Sequence, residues 1–414
     1  MAEHGSKNII IVGGSYGGLS AAHYILKHVI PSLPKDDGYE VILVSASGEA
    51  MCRPACPRAL ISDQMFDQKK LFVDIPEQFK QYGQATFRFI KGTATRLDHE
   101  ARSLEVRQSD SSSQSLPYHA LVIATGSSTR SPLLGLNGTT EDLRNSWSQF
   151  RKVLPRARSI VIAGGGPAGI ETAGELGEYL NGRAGWFKAR LDDPKVAITV
   201  VTSGAKILPV VRASLATKAE DYLEKVGVTV IKNAKVSSVE SANAGSQDVA
   251  SACLVTLHDG TTIEADLYIP ATGTTPNTSF VAETLLTPDG RVDTNPATLR
   301  VDKAGPRVYA VGDCASYARP AVHNILNAIP VLGPNIKRDL LLHVGKADAE
   351  VPKERTFKED TRETQLVPVG KSKGVGAAMG YALPSWLVWL IKGRDYWLWT
   401  TGGLWSGKQW NKES

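Results

Sequence analysis

Two stretches of the chain repeat one pattern of apolar and polar positions. Each begins with a short run of β-branched residues, passes through a glycine-rich turn and continues with apolar residues at helical spacing. The first is KNIIIVGGSYGG followed by LSAAHYILKHV, residues 7–29, and the second is SIVIAGGGPAG followed by IETAGELGEYL, residues 159–180. The pattern predicts a strand, a tight turn and a helix in each stretch.

The small residues of both turns have the spacing of a dinucleotide-binding fingerprint. Its three positions are Gly13, Ser15 and Gly18 in the first turn, and Gly164, Gly166 and Gly169 in the second. Serine at the middle position is still small enough for a pyrophosphate to approach the backbone, and the N–H groups at the helix start would then bind it. One such match is weak evidence, but two at corresponding places indicate a duplicated nucleotide-binding unit.

Other segments recur in the same order in each half. YHALVIATG (118–126) and ADLYIPATG (265–273) are predicted strands that end in Ala-Thr-Gly. Each follows a polar segment, at 109–115 and 241–251, which predicts the tip of a β-meander. A further strand, PRVYAVGDCAS (306–316), ends in Gly-Asp. That carboxylate could accept hydrogen bonds from a polyol, with the following helix start stabilising negative charge on a reduced ring, or could simply cap the helix.

Composition narrows the class of protein. The 414 residues are 42% hydrophobic and 21% charged, as in a soluble chain of two or three domains. A net charge of +5 without a long basic run argues against a nucleic-acid partner. Four cysteines and no apolar segment after the first residue predict a reducing, cytoplasmic location. The eight histidines show no ligand spacing, so no metal is expected.

These segments together resemble the two-dinucleotide-binding-domain flavoproteins, the pyridine nucleotide–disulfide oxidoreductase superfamily. Within it the chain is most similar to the apoptosis-inducing-factor-like, mitochondrion-associated group that includes ferroptosis suppressor protein, and to its fungal relatives. Three segments carry this second resemblance: PACPRALI (54–61), ATGTTPNTSF (271–280) and LPSWLVWLIKGRDYWLW (383–399).

The resemblance implies an α/β fold with two Rossmann-like dinucleotide-binding domains, the NAD(P) domain being inserted in the FAD domain, and a small C-terminal domain. The expected boundaries are 1–130 and 275–345 for the FAD domain, 131–274 for the NAD(P)H domain and 346–414 for the C-terminal domain.

The resemblance also implies FAD as cofactor and NADH or NADPH as cosubstrate. The residues expected at FAD are Gly13, Gly14, Ser15, Tyr16, Gly17, Gly18, Ser45, Arg58, Ala94, Thr125, Gly126, Gly312 and Asp313. Those expected at NAD(P)H are Gly164, Gly165, Gly166, Pro167, Ala168, Gly169, Glu171, Thr202 and Gly273. No catalytic acid or base is assigned.

Several positions depart from the family pattern. Ser45 stands where an acidic residue would hold the adenosine ribose of FAD, and a hydroxyl would do so more weakly. In the second half, Thr202 and Ser203 replace the acid of an NAD-selective site, so the 2′-phosphate of NADPH is not repelled and Lys206 could attract it. The choice between NADH and NADPH stays open. Glu171 is expected near the nicotinamide, or alternatively as a first-turn glutamate that favours the helix dipole.

Cys52 and Cys56 raise the question of a redox-active dithiol. Their spacing is one residue shorter than the Cys-x-x-x-x-Cys of disulfide reductases, and Pro54 and Pro57 disfavour a regular helix through both. The favoured interpretation is that they line the flavin loop without cycling. Arg58, in the same loop, is expected to clamp a pyrophosphate, the alternative being a surface ion pair.

The segment NILNAIPVLGPNIKRDL, residues 324–340, should be a helix facing the isoalloxazine ring. Pro330 and Pro334 are expected to kink or break it, which would give an unusual substrate pocket. His323, just before it, could reach the flavin.

Six of the eight tryptophans lie within residues 386–410. The apolar run 383–391 is too short to span a bilayer. The tail could lie in the headgroup region or form a hydrophobic door for a quinone; alternatively, it packs as a structural domain or against a second subunit.

These observations predict an FAD-dependent NAD(P)H oxidoreductase that passes electrons to a quinone-type acceptor, with peripheral attachment to a mitochondrial or lipid-droplet surface and a homodimer both left open. Two alternatives are an oxidoreductase acting on a small molecule of a biosynthetic pathway and a slow, redox-responsive signalling protein.

Overall fold

A computed structural model describes residues 7–35 and 38–413. Its strands are β1 (Lys7–Val12), β2 (Tyr39–Ser45), β3 (Glu49–Met51), β4 (Phe72–Asp74), β5 (Phe87–Asp98), β6 (Ser103–Gln108), β7 (Ser113–Pro117), β8 (Ala120–Ile123), β9 (Ser127–Thr129), β10 (Ser159–Ala163), β11 (Ala197–Val201), β12 (Val228–Ile231), β13 (Val236–Glu240), β14 (Cys253–Leu257), β15 (Thr262–Ala265), β16 (Leu267–Pro270), β17 (Thr274–Pro276), β18 (Val308–Ala310), β19 (Gln365–Val369), β20 (Lys373–Ala378) and β21 (Tyr381–Ala382).

The α-helices are α1 (Tyr16–Tyr24), α2 (Cys56–Ala59), α3 (Gln68–Leu71), α4 (Ile75–Gln78), α5 (Thr140–Val153), α6 (Pro167–Asn181), α7 (Ala213–Glu224), α8 (Val322–His343), α9 (Ser385–Val388) and α10 (Leu398–Trp405). Two π-helical turns, Ile25–Val29 and Trp389–Gly393, extend α1 and α9. No helix of the described chain is long and apolar enough to cross a membrane.

The largest sheet has the strand order β18-β8-β1-β2-β5-β6-β7. Strands β18, β8, β1, β2 and β5 run parallel, whereas β5, β6 and β7 form the predicted antiparallel meander. Ile9, Ile10 and Ile11 of β1 are fully buried because helices and neighbouring strands cover both faces. Helices α1 and α8 pack together against this sheet.

The second nucleotide unit repeats this design. Its parallel sheet has the order β12-β11-β10-β16, and β10 leads into α6 as β1 leads into α1. A three-stranded antiparallel sheet, β13-β14-β15, contains the second predicted meander. Along the chain this unit comes between β8 and β18 of the first sheet, and the two connecting segments pair as β9 with β17. The fold is therefore α/β with one Rossmann-type unit inserted into the other.

The segment after α8 forms the antiparallel sheet β19-β20-β21 and the helices α9 and α10. This sheet packs closely on α6: a Cβ added at Gly174 would lie 2.9 Å from the Cα of Val369. Helix α10 packs on α1, where the ring of Trp405 lies 4.8 Å from that of Tyr16. The tail is thus largely a packed structural element.

Helix α8 runs without interruption through Pro330 and Pro334. The expectation that these prolines break the helix is wrong. A proline inside a helix costs about 3 kcal/mol because it removes one hydrogen bond, but α8 buries Ile329, Leu332 and Ile336 against the first sheet unit. Burial of three such side chains offsets a cost of this size.

Candidate active site

The two glycine-rich turns open onto one cavity of about 450 Å³. Backbone and side chains of Ser15–Gly17 line one side, and Gly166–Ala168 line the other. The Gly-Asp segment after β18, the start of α8 and the tail residues Lys392 and Trp397 complete the wall. The structure therefore brings together both predicted fingerprints, which lie about 150 residues apart in the sequence.

The first turn has the backbone that a dinucleotide requires. Gly13 has φ +123°, and a Cβ there would lie 2.1 Å from the carbonyl oxygen of Ala124. A Cβ at Gly18 would lie 1.7 Å from the oxygen of Gly13. Only glycine fits at these two positions, and the resulting tight turn leaves the N–H groups at the start of α1 free to bind a pyrophosphate. The turn fits the FAD that the sequence predicts.

The second turn repeats this geometry. Gly164 has φ +128°, and a Cβ there would lie 2.3 Å from the oxygen of Ala271. A Cβ at Gly169 would lie 2.0 Å from the oxygen of Gly164, whereas one at Gly166 would meet nothing within 4 Å. Gly166 therefore faces open space, where a second pyrophosphate can approach the backbone.

Asp313 lines the cavity, as does Gly312, whose φ is +89°. The carboxylate accepts a hydrogen bond from the hydroxyl of Ser127 at 3.1 Å and lies 3.6 Å from the guanidinium of Arg53. Asp313 thus presents a carboxylate to the cavity, where the sequence predicts a polyol of FAD. The sequence pattern does not point to Arg53, which lies between the two loop cysteines, Cys52 and Cys56.

Arg58 does not lie in this cavity. Its guanidinium is buried and donates to both carboxylate oxygens of Glu175 on α6, at 2.9 and 2.8 Å, and to the carbonyl oxygen of Arg394 at 3.1 Å. It also lies 4.8 Å from the ring centre of Tyr396. Because its donors are already engaged, the predicted role as a pyrophosphate clamp is corrected to that of a buried ion pair between α2 and α6.

Cys52 and Cys56 are both free thiols and fully buried, and neither lines the cavity. The hydroxyl of Tyr16 donates to Sγ of Cys52 at 3.4 Å. Burial raises the pKa of Cys52 to about 11 and that of Cys56 further. Since the thiolate is the reactive form, neither group is prepared for disulfide exchange.

Glu171 and Lys392 form a buried ion pair at the edge of the cavity. Nζ of Lys392 donates to Oε1 of Glu171 at 2.5 Å and to the carbonyl oxygen of Leu366 at 3.0 Å. Burial raises the pKa of Glu171 to about 7, although the ammonium of Lys392 acts in the opposite direction. The ring of Trp397 lies 4.8 Å from the same ammonium. Glu171 therefore contacts the C-terminal tail directly at the edge of the cavity.

Other predicted residues surround the turns. Ser45 packs against Gly14 and donates to the oxygen of Ser47 at 2.8 Å, so its hydroxyl is engaged locally. Ala94 lies half-buried on β5. Thr125 donates to the oxygen of Asn277 at 2.7 Å.

Three positions remain. Thr202 lies against Gly165, and Gly273 borders the cavity. His323 is not among the residues that line it.

The tail residues at the cavity are the main contribution that sequence reasoning missed. Lys392 and Trp397 belong to the segment LPSWLVWLIKGRDYWLW, which carries part of the family resemblance and four of the eight tryptophans. Trp397 has φ +69°, a left-handed conformation that turns the chain before α10. The sequence marks this segment by its tryptophans and its resemblance, but no pattern within it predicts contact with α6.

Residues 7–330 match the family described as pyridine nucleotide-disulphide oxidoreductase, and the chain belongs to this family. The family uses FAD and NAD(P)H, so the protein is an FAD-dependent pyridine nucleotide oxidoreductase.

Among relatives, oxidoreductase phnG of Penicillium herquei is 63% identical over 409 residues, covering 99% of this chain and 98% of that protein. Ferroptosis suppressor protein 1 of Taeniopygia guttata is 26% identical over 412 residues, covering 96% of each. The solved structure of NDH2 from Plasmodium falciparum in complex with NADH has a TM-score of 0.66 at 14% identity, covering 99% of both chains. The resemblance and the fold class predicted from the sequence are confirmed.

Proposed function

We propose that the protein passes a hydride from NAD(P)H to FAD and then delivers electrons directly to a quinone-type acceptor. The observation that carries this proposal is the single cavity onto which both fingerprint turns open. A nicotinamide held by the second turn and a flavin held by the first would meet there. The bound FAD supplies the chemistry of accepting a hydride and releasing electrons.

The residues around the cavity support direct delivery of electrons from the flavin to the acceptor. In disulfide reductases a dithiol beside the flavin relays the electrons, but here both thiols of the loop are buried behind the wall with raised pKa values. The acceptor must therefore enter the cavity itself.

The remaining wall is mostly apolar and favours a flat, lipid-soluble acceptor. Its apolar lining includes Pro54 and Pro57 of the flavin loop, Val322 and Ile325 of α8, and Trp397 of the tail. Such a surface binds an aromatic ring by burial and stacking. Because α8 is continuous, its prolines no longer favour an unusual small-molecule pocket.

Exposed apolar side chains on the tail support peripheral membrane contact. Trp386 and Trp399 are 64% and 60% exposed, and Leu390 is exposed as well. Tryptophan side chains of this kind prefer the membrane interface. A quinone dissolved in the membrane would then be close to the cavity that Trp397 lines.

The test separates the two half-reactions. Flavin-loaded protein is mixed anaerobically with NADPH or NADH, flavin bleaching is followed, and the reduced protein is then mixed with short- and long-tailed quinones and with disulfides. We expect fast bleaching and reoxidation by quinones but not by disulfides. Bleaching with reoxidation only by other small molecules would favour the biosynthetic alternative, and slow turnover with a long-lived charge-transfer band would favour signalling.

Matched variants on α8 test the acceptor wall. Val322→Thr adds a hydroxyl that faces the cavity, and Val331→Thr adds one on the same helix away from it. We expect the first to lower kcat/KM for the quinone by about three- to tenfold, since an unpaired polar group opposes apolar binding. The second should leave this value unchanged, and equal effects of both would contradict the proposed quinone site.

A further inference from the structure

We propose that NADPH is the preferred electron donor and that Ser203 and Lys235 bind its 2′-phosphate. This inference rests on the proposed function, since it concerns the nucleotide that enters the second unit. It resolves the choice that the sequence left open between NADH and NADPH.

A second cavity, of about 900 Å³, continues from the second glycine-rich turn along the ends of β11 and β13. Its cationic lining residues are Arg130 and Lys235, and its hydroxyl-bearing side chains include Thr202, Ser203 and Ser237. No aspartate or glutamate lines it in the described part of the chain. The cavity therefore offers donors and positive charge to an anion.

Ser203 stands where coenzyme selectivity is decided. In Rossmann units the residues just after the second strand meet the adenosine ribose, and an acid there accepts hydrogen bonds from the diol of NADH and repels a phosphate. In this unit the second strand is β11, which ends at Val201 and leads into Thr202 and Ser203. Ser203 is exposed in the cavity, where its hydroxyl can donate to a phosphate oxygen.

Lys235 is held beside Ser203 by backbone hydrogen bonds. The N–H of Ala234 donates to the carbonyl oxygen of Thr202 at 3.0 Å, and the N–H of Asn233 donates to that of Gly204 at 3.1 Å. These two bonds join the loop after β12 to the loop after β11. Lys235 directly follows the joined residues, and both Lys235 and Ser203 line the cavity.

Among the lysines near Ser203, Lys235 is the one that lines the cavity, because its neighbours are already engaged. Lys232 forms an ion pair with Glu220 at 2.9 Å. Lys206, the cation suggested by the sequence, donates to the carbonyl oxygen of Val211 and does not line the cavity. Lys235 is exposed and forms no ion pair with any described residue. Lys235 therefore takes the role of attracting the 2′-phosphate that the sequence suggested for Lys206.

The binding experiment uses nucleotide fragments, so it does not depend on turnover. Calorimetry on the flavin-loaded chain compares 2′,5′-ADP, which carries the 2′-phosphate, with 5′-AMP, which lacks it. We expect 2′,5′-ADP to bind at least about tenfold more tightly, because charge-assisted hydrogen bonds to phosphate are among the stronger hydrogen bonds in proteins. Lys235→Met should remove most of this ratio, and Ser203→Ala should remove part of it.

Lys232→Met is the matched control. It removes the same charge three residues before Lys235, from a lysine that pairs with Glu220. It should leave the ratio unchanged, and an intact flavin spectrum in all variants excludes misfolding. Equal binding of the two fragments, or a ratio unaltered in Lys235→Met, would overturn the inference.

The same proteins are then mixed with NADPH and NADH. If neither reduces the flavin, the proposed function fails, while the fragment ratio still decides the 2′-phosphate site. If both reduce it at equal kcat/KM in the wild type and in Lys235→Met, the proposed function stands and the preference for NADPH is wrong.

Discussion

Arg58 and Glu175 form a bidentate ion pair that joins the flavin loop to the helix of the second nucleotide unit. Their side chains are only 6% and 3% exposed, and the hydroxyl of Tyr396 donates to the same carboxylate at 3.0 Å. Three segments distant in the sequence thus meet at one carboxylate. The contact joins the flavin loop, α6 and the C-terminal tail.

Removing Arg58 should lower the free energy of unfolding, without a direct effect on the chemistry of the cofactor. Arg58→Ala leaves Glu175 charged and unpaired in a buried place, which costs about 3–5 kcal/mol. Denaturant unfolding measures this loss, and Arg96→Ala, which breaks an exposed pair with Glu105, should cost less than about 1 kcal/mol. Loss of FAD from Arg58→Ala at unchanged unfolding free energy would instead favour the pyrophosphate clamp.

Glu171 should make stability depend on pH. Its pKa is raised by burial from 4.5 to about 7. Between these values the carboxyl is protonated in the folded chain and ionised in the unfolded chain, so the free energy of unfolding contributed by this group falls as pH rises through this range. Below about 4.5 the contribution is fully present, and above about 7 it is lost.

The glutamine variant isolates this effect, because its amide does not titrate. The difference in unfolding free energy between wild type and Glu171→Gln should fall from pH 5 to pH 7.5 and be level outside this range. Urea unfolding at a series of pH values measures it. A difference that is constant across the whole series would show that the pKa of Glu171 is not raised.

Substitution of the loop cysteines should leave turnover nearly unchanged. Cys52→Ser and Cys56→Ser, alone or together, remove thiols that are buried and whose pKa values are raised. Steady-state oxidation of NAD(P)H with a quinone is the measurement. Variants that still reduce flavin with NAD(P)H but no longer reduce the acceptor would restore the dithiol interpretation.

Asp313→Ala should weaken FAD retention by about tenfold or more, since the carboxylate is the acidic group that lines the cavity beside Ser127 and Arg53. The flavin-to-protein ratio after purification and the Kd for added FAD measure the loss. Asp289→Ala, an exposed site paired with Arg291, serves as control. A full flavin complement in Asp313→Ala would refute the Gly-Asp assignment.

The tail should have two functional parts: exposed tryptophans that contact a membrane and a buried tryptophan that stabilises the fold. Trp386→Ser and Trp399→Ser change exposed side chains, so FAD content should stay intact while binding to anionic vesicles and reduction of a long-tailed quinone fall. Trp405→Ala should instead cost about 3–5 kcal/mol, because this ring is buried beside Tyr16. Unchanged vesicle binding in the two serine variants would exclude membrane contact through this face.

Deleting residues 383–405 is expected to lose the flavin. A tail that served only as a hydrophobic door for a quinone would instead leave reduction of the flavin by NAD(P)H intact. The deletion removes Lys392, Trp397 and Trp405, which line the cavity or support its walls.

The amino-acid sequence by itself determined the nucleotide units and their cofactors. Gly13, Gly18, Gly164 and Gly169 are required by contacts within a few residues or with the adjacent strand, so their spacing already encodes the turn. The two Ala-Thr-Gly strands and the meanders follow from local alternation in the same way. These features can be predicted because Gly18 and Gly169 contact their own turns, while Gly13 and Gly164 contact the Ala-Thr-Gly segment of the adjacent strand, which the sequence also repeats.

Only the tertiary structure decided the partners of the charged side chains and the fate of the tail. Arg58 could have met a phosphate or a carboxylate, and the choice depends on Glu175, more than a hundred residues away. Lys392 meets Glu171 and Lys235 lies beside Ser203 for the same reason. A charged side chain is compatible with many partners. Which partner lies near enough to offset the cost of burying the charge depends on how distant elements pack.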